Sequence, residues 1–181
     1  MTVCSKLRKL LEVQRGFEFA KVYELLGVEE LKYIDVKATF NEAVALFSGL
    51  KLNVINDSSS LQLLADSSLG QLFYNFIDNT RKYGKKTTTI RLHFEKTNSC
   101  GLKLVYEDDG VSISAEDKAK VFKEGFSTGG STGFGLFLSK RMVNVYGWQI
   151  EEIGEPGKGA KFVMTIPELS PGGKKNYLFG T

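Results

Sequence analysis

A chain of 181 residues is long enough for one domain with a sizeable core and too short for two large ones. Apolar residues at 42% and charged residues at 25% exclude wholesale disorder. The formal charge of +3, with no run of lysine and arginine, gives no sign that nucleic acid is a partner. Cys4 and Cys100 lack CxxC spacing and neighbouring histidines, so neither a zinc site nor a disulfide framework is indicated and a cytoplasmic, reducing setting fits. No stretch approaches the length of apolar residues that spans a bilayer, and the polar start is no secretory signal, so no membrane contact is expected.

The stretch "SKLRKLLEVQRGFEFAKVYELL" reads as a helix stopped by Gly27. Its apolar positions cover much of the circumference, which fits a helical hairpin, a dimer, or docking on the domain behind it. "LKYIDVKAT" then reads as a strand, "FNEAVALFSG" as a helix ended by Gly49, "KLNVIN" as a second strand and "SSSLQLLAD" as a short extended return. From about Ser67 to Tyr83 a helix carries Leu69, Leu72, Phe73 and Phe76 as one apolar stripe, with Gly84 as its stop. "TTTIRLHFEK" alternates, placing Ile90, Leu92 and Phe94 on one face and Arg91, His93 and Glu95 on the other, and "TNSCG" turns it into "LKLVYED" as an antiparallel hairpin.

Ser114 followed by Asp117 predicts the cap of a short helix through Phe122. The glycine-rich "GFSTGGSTGFG" leads into a helix with Leu138, Met142, Val145 and Tyr146 on one side, ended by Gly147. "WQIEEIG" and "AKFVMTIP" form a closing hairpin around "EPGKG", and "SPGGKKNYLFGT" reads as a tail. The expected fold is an α/β (α+β) two-layer sandwich, a mixed and mostly antiparallel sheet with helices on one face. The expected units are an N-terminal helix at 1–34, the domain at 35–168 and a tail at 169–181.

Three segments are candidates for chemistry. In "NFIDNTRKYG", Asn75, Asn79 and Lys82 lie together on the flank of the apolar stripe, at the core edge, where amides need partners. An amide oxygen suits Mg²⁺, which keeps several waters and leans on substrate phosphates. In "VYEDDGVSIS" a strand ends in Asp108, Asp109 and Gly110; a carboxylate there accepts from an exocyclic amine such as that of adenine, and glycine leaves room for a flat ring, although such a stretch is more often a plain turn. In "STGGSTGFGLFLSKR" glycines lead into a helix, which makes an anion site of backbone N–H groups or simply a mobile loop. It is not a Walker motif, since GK[ST] is missing.

In this order the three segments resemble the ATP-binding catalytic domain of sensor histidine kinases, in the superfamily shared with gyrase and mismatch-repair ATPases. "NFIDNTRKYG" resembles the N box, "EDDGVSIS" the first glycine box, "VFKEGFST" the F box and "STGFGLFLSKRMV" the second glycine box, with "GEPGKGAKFVMTIP" as the closing hairpin. The resemblance implies a Bergerat-type ATP-binding fold with ATP and Mg²⁺ as ligands. Asn79 would hold the metal with Asn75 nearby, Lys82 would meet phosphate, and Tyr83 would lie against the nucleotide. Asp108 would take the adenine amine beside Gly110. Phe122 and Phe126 would hold a lid of residues 127–132, and Thr132, Gly133, Gly135 and the Leu136 amide would line the phosphates.

Several positions depart from that pattern. Ser112 and Ser131 stand where glycines are usual, and a left-handed backbone at Ser112 would cost on the order of 1–3 kcal/mol. Thr80 replaces a usual alanine, and Tyr146 and Trp148 replace common His and Gly residues, with packing consequences expected. Asn75 occupies the place of the glutamate that serves the hydrolysing branches as general base, and an amide takes no proton at neutral pH. The resemblance therefore implies phosphoryl transfer to a supplied nucleophile, with Asn75 and Lys82 as the catalytic positions. The acceptor would be a histidine elsewhere in a parent kinase that dimerises through a helical hairpin and feeds a response regulator receiver domain; His93, on the polar face of its strand, is expected to be a surface side chain. A degenerate nucleotide-binding or interaction module, and an anti-sigma-type serine kinase, are the alternatives.

Overall fold

The computed structural model describes residues 27–97, 101–129 and 131–180. The N-terminal helix, both cysteines and the tip of the "TNSCG" turn lie outside the described residues. Eight strands and four helices follow in order: β1 Lys32–Asp35, α1 Val36–Ala45, β2 Asn53–Asp57, β3 Leu61–Ala65, α2 Ser68–Tyr83, β4 Thr89–Thr97, β5 Gly101–Asp108, α3 Ala115–Lys118, α4 Phe134–Val145, β6 Gln149–Glu152, β7 Lys161–Pro167 and β8 Tyr177–Phe179. Strands β2, β4, β5, β7 and β6 form a five-stranded sheet in that order. Only β2 and β4 pair in parallel, because β3 and α2 carry the chain between them; the other pairs are antiparallel. The expected mixed, mostly antiparallel sheet is therefore present.

The period-two pattern sets which face the helices cover. Ile90 and Leu92 of β4, Leu102, Leu104 and Tyr106 of β5, and Phe162, Met164 and Ile166 of β7 are buried in one cluster beneath α1, α2 and α4. Their neighbours Arg91, Glu107 and Lys161 turn outward, and Lys161 pairs with Glu107 at 3.0 Å. His93 lies on this outer face but is more enclosed than expected, with Glu95 and Glu107 carboxylates at 3.5 and 3.7 Å. From α2, Phe76 stacks on Phe162 with ring centroids 4.9 Å apart, and Phe40 of α1 meets Phe73 edge-on at 5.4 Å.

Four local readings change. "VKAT", read as strand from its β-branched residues, begins α1, because the Asp35 side chain accepts from the Ala38 N–H at 2.7 Å and caps the helix there. The short helix at Ser114 is capped as expected but is only Ala115–Lys118, giving way to turns before Phe122. In α4 it is Val143, not Val145, that faces the core, and Val145 is 41% exposed. Within the segment read as a tail, Tyr177–Phe179 form β8, which pairs antiparallel with β3 in a second, three-stranded sheet of order β1, β3, β8.

Two buried polar groups fasten this frame. Asp66 precedes α2, accepts from the Ser68 N–H at 2.9 Å, and takes the Tyr146 hydroxyl at 2.6 Å, so it joins the start of α2 to the end of α4. Burial, and then Asp66 itself, push the Tyr146 phenol above its ordinary value, so the hydroxyl stays protonated as donor. The consequence at Tyr146 is thus a hydrogen bond as well as packing. Asn176, also buried, donates from Nδ2 to the Pro167 carbonyl at 2.9 Å, and its own carbonyl accepts from Leu64 at 2.8 Å.

Asn176→Ala leaves the Pro167 carbonyl without this donor and is expected to lower the unfolding free energy by about 1–3 kcal/mol. The loss should be read as an earlier urea midpoint at unchanged slope. A wild-type midpoint would show that the segment carrying β8 is not part of the cooperative unit.

Candidate functional site

One flank of α2, the end of β5 and the start of α4 converge. Helical spacing sets Asn75, Asn79, Lys82 and Tyr83 along that flank, beside the buried stripe Leu69, Leu72, Phe73, Phe76, Ile77 and Thr80. The Asn75 amide is engaged by protein at both ends: Nδ2 donates to the Gly135 carbonyl at 3.1 Å and to Ser139 Oγ at 3.2 Å, while Oδ1 accepts from Gln71 at 3.0 Å. It thereby ties α2 to the first turn of α4. One turn on, Asn79 makes no side-chain hydrogen bond among the described residues. Lys82 is ion-paired with Asp78, which also accepts from Arg81 at 2.9 Å.

Asp108 closes β5 and is 6% exposed. Its Oδ1 accepts from the Gly110 N–H at 2.9 Å and the Ala160 N–H at 3.2 Å, and its Oδ2 accepts from the Thr80 hydroxyl at 2.6 Å. An ionised carboxylate offers about four lone-pair positions, so these three bonds leave one for a further donor. Thr80, for which only packing was expected, thus holds the central carboxylate. Adjacent Asp109 does different work: it accepts from the Thr88 and Thr89 N–H groups at 2.7 and 2.9 Å and closes the turn before β4. Burial alone would raise the Asp109 carboxyl, but the bonds from Thr88 and Thr89 outweigh it and hold it below the usual carboxylate range.

The glycines here serve the backbone. A Cβ on Gly110 would come within 2.1 Å of Thr87 Oγ1 and 2.6 Å of the Gly84 carbonyl, so this glycine admits the turn after α2. Gly159, at φ +92°, lets the closing hairpin reach the Asp108 carbonyl, which a Cβ would approach to 1.8 Å. Ser112 carries no left-handed strain, since among the described residues only Ser60 and Lys85 are non-glycine residues at positive φ. Its hydroxyl instead accepts from the Gly157 N–H at 2.9 Å.

Gly133 begins α4 in the left-handed conformation at φ +70°, and a Cβ there would lie 2.3 Å from the Gly125 carbonyl carbon. With no side chain on Gly133 to cap it, the helix presents its first-turn amides, those of Gly135 and Leu136 included, at the positive end of its dipole. Thr132 beside it is exposed, and Phe126 is half-buried. Phe122 meets Phe162 edge-on at 6.2 Å, which anchors the segment before the glycine-rich loop to the core.

Tyr83 reaches that loop. Its hydroxyl donates to Ser131 Oγ at 2.7 Å and lies 3.1 Å from Ser127 Oγ, and a Cβ on Gly129 would come within 2.6 Å of its ring. Ser131, which departs from the usual glycine, is here a hydrogen-bond partner. Thr80, Tyr106, Ser127 and Ser139 were not singled out as site residues. The one available signal was Thr80, a polar residue at a core position of the α2 stripe. Two surface cavities, of about 570 Å³ beside Lys96 and Gln149 and about 520 Å³ between Phe47 and Arg81, take in none of Asn79, Asp108 and Gly133.

The chain is similar to known proteins in sequence and in fold. A chain of 26% identity over 129 residues is the adaptive-response sensory kinase SasA of Prochlorococcus marinus, matched over 67% of this chain and 34% of that one. The sensor-like histidine kinase SenX3 of Mycolicibacterium smegmatis is 25% identical over 83% of this chain and 43% of its own length. The chain thus spans less than half of these curated relatives. Among solved structures, full-length ShkA in complex with AMPPNP superposes with a TM-score of 0.66 at 21% identity, over 88% of this chain and 38% of that one. Residues 65–170, the stretch holding every group above from Asp66 to Ile166, match the family described as histidine kinase-, DNA gyrase B- and HSP90-like ATPase, and the chain belongs to that family.

Proposed function

We propose that this chain binds Mg·ATP and transfers its γ-phosphoryl group to a histidine elsewhere in a parent sensor kinase, which passes it to a response regulator receiver domain. The observation that carries the reading is Asp108: a buried carboxylate with its protein donors in place and one acceptor position left, tied through Thr80 to the helix that bears Asn79 and that Asn75 joins to the start of α4. That position accepts from the 6-amino group of adenine, and the α4 amides donate to phosphate oxygens. Lys82 turns from Asp78 to the phosphates as they bring in more charge than one carboxylate.

The donor set fits Mg²⁺ only together with nucleotide. Among the described residues no cluster of three or more His, Cys, Asp or Glu side chains could hold a metal, which leaves the Asn79 oxygen, waters and phosphates. When bound, such an ion would help neutralise negative charge on the phosphoryl group in flight. The nucleophilic nitrogen forms the new N–P bond as the bond to the β,γ-bridging oxygen breaks and ADP leaves. Asn75 offers no proton acceptor to water, and its amide is occupied by Gly135, Ser139 and Gln71, which favours transfer to a supplied histidine over hydrolysis. Dimerisation through the parent's helical hairpin and a cytoplasmic setting belong to the same reading. Ser112 and Ser131, which motivated a degenerate module, have ordinary backbone conformations and hydrogen-bond partners.

Titration with a non-hydrolysable ATP analogue should show Mg²⁺-dependent binding. Asp108→Asn should weaken it by about 10- to 100-fold, and Asn79→Ala should abolish most of the Mg²⁺ dependence. Equal weak affinity in all three proteins would refute the reading. Tyr83→Phe removes the bonds to Ser127 and Ser131, so amide exchange at 127–133 should speed by about 3- to 10-fold while the α2 core is unchanged. Unchanged exchange would show that Tyr83 does not hold the loop.

A further inference from the structure

Where α2 crosses the end of β5, three polar side chains form a chain of hydrogen bonds that ends on the Asp108 carboxylate. Thr80 Oγ1 lies 2.6 Å from Asp108 Oδ2 and 2.9 Å from the Tyr106 hydroxyl, and Thr80 and Tyr106 are both buried. The direction of the chain follows from counting hydrogens. A carboxylate only accepts, so the single hydroxyl hydrogen of Thr80 goes to Asp108, and Thr80 Oγ1 must then accept from Tyr106. Burial pushes the Tyr106 phenol well above its ordinary value, and the nearby Asp108 charge adds to this against the opposing Thr80 bond, so the proton needed for that donation stays on. The β-branched Thr80 has few rotamers in a helix, which holds its oxygen in place.

We propose that Thr80, backed by Tyr106, is a positioning residue that selects adenine nucleotides through Asp108. The proposal rests on the nucleotide reading of the site and deepens it. With Thr80 and the Gly110 and Ala160 amides donating, the Asp108 carboxylate is held in one orientation, and its remaining edge is an acceptor. An exocyclic 6-amino group satisfies that edge. A 6-oxo group, as in guanine, meets acceptor against acceptor, and a purine with hydrogen at position 6 gains nothing from it. Without the Thr80 hydroxyl, Asp108 Oδ2 loses its only protein donor among the described residues, and the carboxylate is freer to turn.

The test compares two ligands on the intact chain: a non-hydrolysable ATP analogue, and the same triphosphate of purine riboside, which lacks the 6-amino group. Wild type should prefer the adenine analogue. Thr80→Val, which keeps the shape but not the hydroxyl, should weaken the adenine analogue by about 5- to 20-fold and change the purine riboside analogue by less than about twofold. Thr80→Ser should restore the preference. Tyr106→Phe, which leaves Thr80 free to turn its hydroxyl away, should lower the preference in the same direction and serves if Thr80→Val does not fold. Equal weakening of both ligands, or an unchanged preference in Thr80→Val, or in Tyr106→Phe where Thr80→Val does not fold, would overturn the proposal while leaving nucleotide binding intact. Failure of wild type to bind either ligand would overturn both readings together.

Discussion

The constraint on which the site depends is a charged carboxylate held out of water. Asp108 is enclosed by three elements that arrive from distant parts of the chain: Thr80 from α2, the Gly110 N–H from its own loop and the Ala160 N–H from the closing hairpin. A buried carboxylate lacking these donors would cost several kcal/mol or shift to its neutral form. Supplying them fixes how α2, β5 and β7 approach one another. Gly110 and Gly159 are the backbone side of the same requirement, since a Cβ at either would collide with the Gly84–Thr87 turn or with the Asp108 carbonyl.

A second set of contacts joins the other half of the site. Asn75 binds α2 to the start of α4, Asp66 and Tyr146 bind the start of α2 to the end of α4, and Tyr83 binds the last turn of α2 to the glycine-rich loop. One helix thus carries the threonine that holds Asp108, the asparagine whose amide makes no side-chain hydrogen bond among the described residues, and the tyrosine that reaches the loop. A shift of α2 moves all of them together, so what presses on this helix would act on Asp108, the start of α4 and the loop at once.

Much of this was legible in the sequence because it is local. The stripe on α2 and the alternation of Ile90 and Leu92 are periodicities, and they place the core and the flank bearing Asn75, Asn79 and Lys82 directly. Asp108 is legible as a strand-end carboxylate. What escaped depends on partners far along the chain. Thr80 reads as a polar interruption of a core stripe until Tyr106 and Asp108 are set against it, and β8 reads as a tail until β3 offers it an edge. "VKAT" has the β-branched look of a strand, yet the Asp35 cap decides for helix. The strain feared at Ser112 was conditional on a backbone angle, and that angle is ordinary.

The most direct measurement is a crystal structure of the chain with a non-hydrolysable ATP analogue and Mg²⁺. The account predicts the adenine amine on the open edge of Asp108, with its Thr80, Gly110 and Ala160 bonds kept, the ion on the Asn79 amide oxygen, and phosphates at the start of α4. A nucleotide seated elsewhere, with the base away from Asp108, would contradict it.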